Sequence, residues 1–237
     1  MDHRTFPPGD LPGRRAGTRS TPDADPRLDL VAGSVDLAEG RLLFVQPRDA
    51  MALLDEEDVA ADQAYPPYWA ELWPSGIELA YAVAAASAGS WRNAPVLELG
   101  CGLGLPAVAA ALAGARVLAT DRSADATTFA AVNAEQNGVR VETAVCSWDR
   151  PGLVLARAPW RFVLAADVLY GQRNVDELLD LLPRLVDDGG EVWIADPRRP
   201  LTGEFLAAAR AVWRSVETTP TRLPQILIHR LAGPGNG

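Results

Sequence analysis

The chain has 237 residues, with 22 basic side chains against 31 acidic ones and a formal charge of −9. Hydrophobic residues make up 48% and charged residues 22%, which suits one buried core of ordinary size and excludes wholesale disorder. So acidic a chain is a poor match for nucleic acid, whose binding runs on clustered positive charge. The two histidines, His3 and His229, exclude a His-rich metal centre, and no metal ligand set is expected. The two cysteines, Cys101 and Cys146, make no disulfide framework and read as thiols of a reducing, cytoplasmic compartment. No uncharged apolar run approaches the roughly 18 residues a spanning helix needs, so no membrane partner is expected. Arg14-Arg15 lacks the apolar run that would follow in an export signal.

Residues 1–26 carry prolines at 7, 8, 12, 22 and 26 and almost no large apolar residue, which predicts a tail unable to repay the entropy of its own ordering. Residues 27–74 hold short apolar runs, among them Arg41-Leu42-Leu43-Phe44-Val45, and are expected to form an extension packing on a domain that occupies 75–237. Ser75-Gly76-Ile77-Glu78 has the form of a capping box and predicts a helix through the apolar run 77–88. Pro95–Leu99 reads as a short buried strand, and Leu105-Pro106 starts an Ala-rich helix closed by Gly114. Strands follow at 116–121 and 139–146, separated by a helix that Ser123 caps and Asn137-Gly138 ends. Further strands are expected at 162–167 and 191–196, with helices at 174–186 and 202–215. Two last strands, roughly 213–219 and 225–231, have no long helix between them and suggest a closing hairpin. Strands that are apolar almost throughout and alternate with helices indicate an α/β fold, a parallel sheet covered on both faces.

The turn after the first of these strands reads Glu98-Leu99-Gly100-Cys101-Gly102-Leu103-Gly104. A dinucleotide fingerprint would require glycine at 105, where leucine stands; the spacing Glu-x-Gly-x-Gly-x-Gly is the form S-adenosylmethionine methyltransferases use. Asp121 ends the next strand, where a carboxylate can accept two hydrogen bonds from a ribose or else cap the following helix. Trp148 follows the third strand and either stacks on an adenine or packs in the core. Asp167 follows an apolar run, so its carboxylate needs a partner or a cleft; it can hold an incoming amine with the Tyr170 hydroxyl nearby. In the bland alternative, Asp167 caps a loop or helix and Tyr170 is a core aromatic. Asp167-Val168-Leu169-Tyr170 is not the Asn/Asp-Pro-Pro-Tyr/Phe element of amino-methylating enzymes that act on DNA bases and some glutamines. Arg198 and Arg199 read either as a solvated loop or as partners for substrate carboxylates.

Taken in order, Trp69–Gly76, Leu97–Gly104, Asp121, Trp148, Asp167–Tyr170 and Asp196-Pro197-Arg198-Arg199-Pro200 resemble the seven-β-strand protein-lysine methyltransferases. The resemblance spans about residues 41–231. It implies a doubly wound, Rossmann-like, seven-stranded and mostly parallel sheet that binds S-adenosylmethionine. By this likeness Trp73 and the Gly100–Gly102 backbone, Cys101 among them, contact the cofactor's methionine portion, and Glu98 and Gly104 of the same loop count among the cofactor-binding residues. Asp121 holds the ribose, Trp148 flanks adenine, Ala166 touches the cofactor, and Asp167 with Tyr170 faces the substrate amine. The implied reaction is N-methylation of a protein lysine; a small-molecule methyl acceptor and a non-catalytic cofactor-binding module are the alternatives. Two positions depart from the family: Ser147 stands where Asp often precedes the adenine-side Trp, and Arg198 stands where the nearest members have Gly.

Overall fold

The computed structural model describes Arg4–Thr5 and residues 29–53 and 66–234; apart from Arg4–Thr5, the expected tail lies outside the described residues. The strands β1 (Arg4–Thr5), β2 (Leu30–Asp36) and β3 (Arg41–Pro47) pair antiparallel as a small sheet. Helix α1 (Pro74–Ala85) and the short α2 (Ala88–Trp91) lead into β4 (Pro95–Leu99), α3 (Leu105–Leu112), β5 (Arg116–Asp121), α4 (Ala124–Gln136) and β6 (Glu142–Val145). The short α5 (Gly152–Leu155), β7 (Trp160–Ala166), α6 (Gln172–Leu185), β8 (Val186–Asp196) and α7 (Thr202–Val212) follow, and β9 (Trp213–Pro220) with β10 (Leu227–Pro234) closes the chain.

The main sheet has seven strands in the order β6-β5-β4-β7-β8-β10-β9. The strands from β6 to β8 pair parallel, while β10 runs antiparallel to both β8 and β9. The chain winds outward from β4 to β6, then returns to the other side of β4 with β7. This is the doubly wound sheet with a C-terminal hairpin that the residue pattern and the resemblance led one to expect.

The reason the strands are apolar throughout lies in their two-residue period. Val96, Ala119, Phe162, Leu164, Trp193 and Ala195 point into a core shared with α1, α3 and α4. Their neighbours Leu97, Leu118, Val163, Ala165, Val192 and Ile194 point into the opposite core, under α6 and α7. Each face therefore buries half of every central strand.

The expected capping box at Ser75 and Glu78 is not formed. Helix α1 begins two residues earlier, at Pro74, with Trp73 at the N-cap and no side-chain cap, and the Ser75 hydroxyl is buried without a hydrogen-bond partner. Glu78, almost fully buried, instead receives Arg222 Nη2 at 2.7 Å, Arg222 Nε at 3.1 Å and the Arg222 amide at 3.0 Å. A bidentate guanidinium and a backbone donor offer more to a buried carboxylate than one helix amide, and that partner is 144 residues away in sequence.

The small sheet docks through two asparagines four residues apart, Asn133 of α4 and Asn137 at its C-cap. Asn133 Oδ1 accepts the Val45 amide at 2.8 Å, and its Nδ2 donates to the carbonyls of Val45 (3.3 Å) and Leu103 (2.9 Å). Asn137 grips Leu43 in the same way, at 2.9 Å to its amide and 2.7 Å to its carbonyl. The side-chain amides thus complete the outer edge of β3 as a further strand would, and Asn133 also reaches the glycine turn. Asn133→Ala strands three buried backbone groups at roughly 1–3 kcal/mol each, so urea unfolding should show a loss of about 3 kcal/mol or more. A loss below about 1 kcal/mol would mean that water replaces the amide freely.

Candidate active site

Asp121, Trp148 and Asp167 leave the carboxyl ends of β5, β6 and β7, and the glycine turn leaves that of β4; where the strand order reverses between β4 and β7 the connections diverge and open a cleft. It encloses about 1330 Å³. Trp73, Glu98, Gly100, Cys101, Gly102, Gly104, Asp121, Trp148, Ala166, Asp167 and Tyr170 all line it, and so does Arg199, while Arg198 does not.

In the turn after β4, Gly100, Gly102 and Gly104 have φ of 66°, 49° and 76°. A Cβ on Gly102 would meet the Trp69 carbonyl oxygen at 3.1 Å, and one on Gly104 would meet Ala130 Cβ at 2.7 Å. At these two positions glycine is demanded both by backbone conformation and by space. The turn is pinned by buried acids on either side. Glu98 Oε2 accepts the Ala107 amide at 2.9 Å, near the start of α3. Asp121 Oδ2 accepts the Gly102 amide at 3.0 Å, and its Oδ1 accepts the Ser123 amide at 3.0 Å. The N-cap of α4 is Ser123, whose hydroxyl accepts from the Ala126 amide, so Asp121 is not spent on that role.

Burial governs the titration of this cluster. It pushes the Glu98 carboxyl well above its ordinary value, with the Ala107 amide opposing and the charge of Asp121 adding to the rise. Asp121 is also raised by burial, against the Ser123 and Gly102 amides. The Cys101 thiol is pushed well up by burial and by the charges of Asp121 and Glu98, which makes it a packing group rather than a nucleophile. Its amide donates to the Thr120 carbonyl at 2.9 Å, so its contribution to the turn is through the backbone.

Trp148 stands against the turn, with its Cζ2 at 3.4 Å from where a Gly100 Cβ would lie. Ser147 hydrogen-bonds the side chain of Asp149, the main reason that the Asp149 carboxyl titrates below its usual range. An acid is therefore present beside Trp148, on its other side from the family position. Trp73 at the start of α1 spends its indole N–H on the Tyr68 carbonyl at 2.8 Å and packs edge-on against the Tyr68 ring, leaving its ring to the cleft.

At the far end, Asp167 has φ of 61° and its amide donates to the Ala195 carbonyl at 2.9 Å. Its carboxylate, 8% exposed, is hydrogen-bonded by Arg199 Nε through Oδ1, and the Arg199 guanidinium lies 5.9 Å from the centre of the Tyr170 ring. The reading of Arg199 as solvated loop is thus corrected: a buried carboxylate draws in the nearest cation. Tyr170 is 57% exposed at the mouth and not a core aromatic. Arg198 has φ of 62°, the conformation that glycine adopts without strain, and its Nη2 donates to the Pro224 carbonyl at 3.2 Å.

Beyond the expected set, the cleft is walled by Tyr68 and Trp69 on the approach to α1, by Arg199, and by Arg173 and Glu177 of α6. The aromatic run before residue 73 was a visible signal for the first two. The ion pair of Arg199 had none, since 32 residues separate it from Asp167.

The strand order, the glycine turn and the acidic strand ends define a fold of the S-adenosylmethionine-dependent methyltransferase class. A solved structure of the 16S rRNA N2 G1207 methyltransferase of T. thermophilus, in complex with AdoMet and guanosine, superposes with a TM-score of 0.63 at 12% identity, covering 86% of this chain and 50% of that one. A family model described as lysine methyltransferase matches residues 60–210, and the chain belongs to that family. Electron transfer flavoprotein beta subunit lysine methyltransferases of Xenopus laevis and Danio rerio are each 33% identical over 136 and 137 residues, 56% of this chain. The match spans 53% and 51% of those proteins, so the chain spans about half the length of the curated relatives it matches.

Gly104→Ala adds a Cβ into Ala130 at a positive φ, and should cost about 2–4 kcal/mol, lowering Tm by roughly 5–10 °C in differential scanning calorimetry. A second outcome concerns pH. A carboxyl whose folded-state value is raised contributes stability below its unfolded value, near 4.3 for glutamate, and loses it as pH climbs through the folded value. Glu98→Gln keeps an oxygen for the Ala107 amide without the charge. The stability of the wild-type protein relative to this variant should therefore fall as pH is raised from about 4 to 8 in urea titrations. A difference that stays flat would remove burial as the cause.

Proposed function

We propose that the protein is an S-adenosylmethionine-dependent N-methyltransferase that modifies a lysine side chain of a protein substrate. The observation that carries this reading is the single cleft that joins a nucleoside-binding end, at Gly100–Gly104, Asp121 and Trp148, to a carboxylate and a phenol at Asp167 and Tyr170. Family membership supports the acceptor class.

The residues present fit the cofactor. Asp121 accepts the Gly102 and Ser123 amides on its two oxygens and lines the cleft, so the carboxylate can hold the turn while facing the ribose hydroxyls. Trp148 offers a ring face beside Gly100 for adenine, and the backbone of Gly100–Gly102 with the Trp73 ring would hold the methionine portion, with Ala166 alongside. Bound there, the cofactor supplies an electrophilic methyl group. The protein's task is then alignment and exclusion of water. Asp167 accepts an N–H of the incoming amine, and Tyr170, exposed at the mouth, meets a side chain arriving from another protein. The net charge of −9 favours a basic neighbourhood around the target lysine and disfavours a nucleic-acid substrate. Two unpaired buried thiols support work in the reducing cytoplasm. No helix among the described residues is long and apolar enough to cross a membrane.

Incubation of the pure protein with methyl-tritiated S-adenosylmethionine and a cell lysate should place label on protein. All 22 basic residues are arginine, so no lysine of the enzyme itself can account for it. Asp167→Ala should lower incorporation by about 100-fold, the scale on which misalignment slows a reaction, with S-adenosylhomocysteine affinity unchanged by calorimetry. Label found only in small products would transfer the reading to a small-molecule acceptor. Absence of heat with S-adenosylhomocysteine would remove the cofactor assignment.

A further inference from the structure

Asp167 is a buried carboxylate that the chain neutralises itself. Arg199 Nε bonds its Oδ1, and no described residue bonds Oδ2, which leaves that oxygen to another donor in the cleft. The arginine is held in place from below. Its amide donates to Asp196 Oδ1 at 2.9 Å, and the same oxygen accepts the Thr202 hydroxyl at 2.6 Å, anchoring the turn to the start of α7. Among the described residues only Asn93, Asp167 and Arg198 combine a side chain with positive φ, so one of those three makes this contact and another directly precedes its arginine. Conformations of that kind persist where the surroundings over-determine them, and they gather at sites of function. Of the other charges lining the cleft, Arg173 is bonded to Glu177 at 2.6 Å and paired with Asp149 at 3.4 Å, and Glu71 is exposed at the mouth.

A lone buried carboxylate would take up a lysine as its ammonium, whose nitrogen has no lone pair to attack with. A carboxylate already paired with a guanidinium has little left to gain from a second cation, yet it can still accept an N–H. We propose that Arg199 is a positioning residue that cancels the charge of Asp167 and presents its Oδ2, so that the cleft takes the target lysine as the free amine. This rests on the lysine-methylation reading above. The amine's lone pair then forms the N–C bond, the S–C pair returns to sulfur, and the methylammonium so formed gives its proton to solvent.

The experiment titrates n-butylammonium chloride into the wild-type protein, Arg199→Gln, Arg199→Lys and the double variant Arg199→Gln/Asp167→Asn, each with saturating S-adenosylhomocysteine, and follows Tm against a sodium chloride control. The proposal expects Arg199→Gln alone to respond, with a rise of about 3 °C at ten times the dissociation constant, because it alone exposes an unpaired carboxylate. Should that variant be unfolded in plain buffer, n-butylammonium should restore its near-ultraviolet circular dichroism. The double variant removes both charges together and is expected to fold and stay silent. In the lysate assay Arg199→Gln should transfer label at least about 30-fold more slowly, with S-adenosylhomocysteine affinity within threefold of wild type, and Arg199→Lys should recover part of the rate. Arg199 has no such role if the wild-type protein responds to the cation as strongly as Arg199→Gln, if Arg199→Lys responds equally, or if Arg199→Gln is neither stabilised nor refolded by it. If wild-type protein labels no lysate protein, the lysine reading falls by itself, and the cation titration still decides the neutralisation of Asp167.

Discussion

A turn that passes through the interior of a protein has to find partners for its peptide groups there, because unpaired buried N–H and C=O groups are costly. Residues 100–107 meet that constraint with side chains borrowed from three directions. Glu98 from β4 takes the Ala107 amide, Asp121 from β5 takes the Gly102 amide, and Asn133 from α4 donates to the Leu103 carbonyl. Two of these are acids that burial pushes toward protonation, so the turn is held at an electrostatic expense that the sheet around it must cover. The glycines follow from the same geometry: with Trp69 on one side and Ala130 on the other, the backbone has room for itself and little more. Because Asn133 also closes the edge of β3, the small N-terminal sheet is mechanically part of this turn and not merely placed near it.

What could be read in the sequence was whatever depends on near neighbours. The strands at 95–99 and 116–121 and the Ser123 cap came out as expected, because buried strand runs and helix caps are local patterns. The glycine turn was legible for a similar reason, since positive φ and lack of Cβ are needed at fixed spacing. The failures have a common source. Ser75 and Glu78 have the local form of a capping box, yet Glu78 is claimed by Arg222 from the hairpin, and no short window of sequence contains both. The strand expected over 139–146 pairs only from Glu142, because it is an edge strand and only part of it lies beside β5. Arg199 looked like loop for the same reason that Glu78 looked like a cap.

The two ends of the cleft are built on different principles. At the glycine-turn end, buried side chains hold the Gly102 and Ala107 amides and the Leu103 carbonyl, and the side chains of β4 and β5 are locked in the double core; this end is preorganised by those bonds. At the Asp167 end the backbone of Asp167 and of Arg198 is held in conformations that cost of order 1–3 kcal/mol apiece. That cost is set against the charge compensation of a carboxylate only 8% exposed. For the methyl-acceptor role proposed for this end, a strained contact balanced by one ion pair would give up less stability on adjusting than a fully bonded one.

The hairpin between β9 and β10 ties those ends together. Pro224, in its connecting loop, accepts from Arg198 at 3.2 Å, two residues away from Arg222 with its grip on Glu78 and its guanidinium 3.7 Å from the ring centre of Tyr81. Glu78 and Tyr81 belong to α1, and α1 starts immediately after Trp73, which lines the cleft. One short loop therefore fixes both the turn that carries Arg199 and the helix that follows the aromatic wall. This explains how arginine at 198 is kept in a left-handed conformation, which glycine would adopt without strain. The side chain that makes the conformation unfavourable is the same one that reaches Pro224, so the strain and the bond that compensates it belong to one residue.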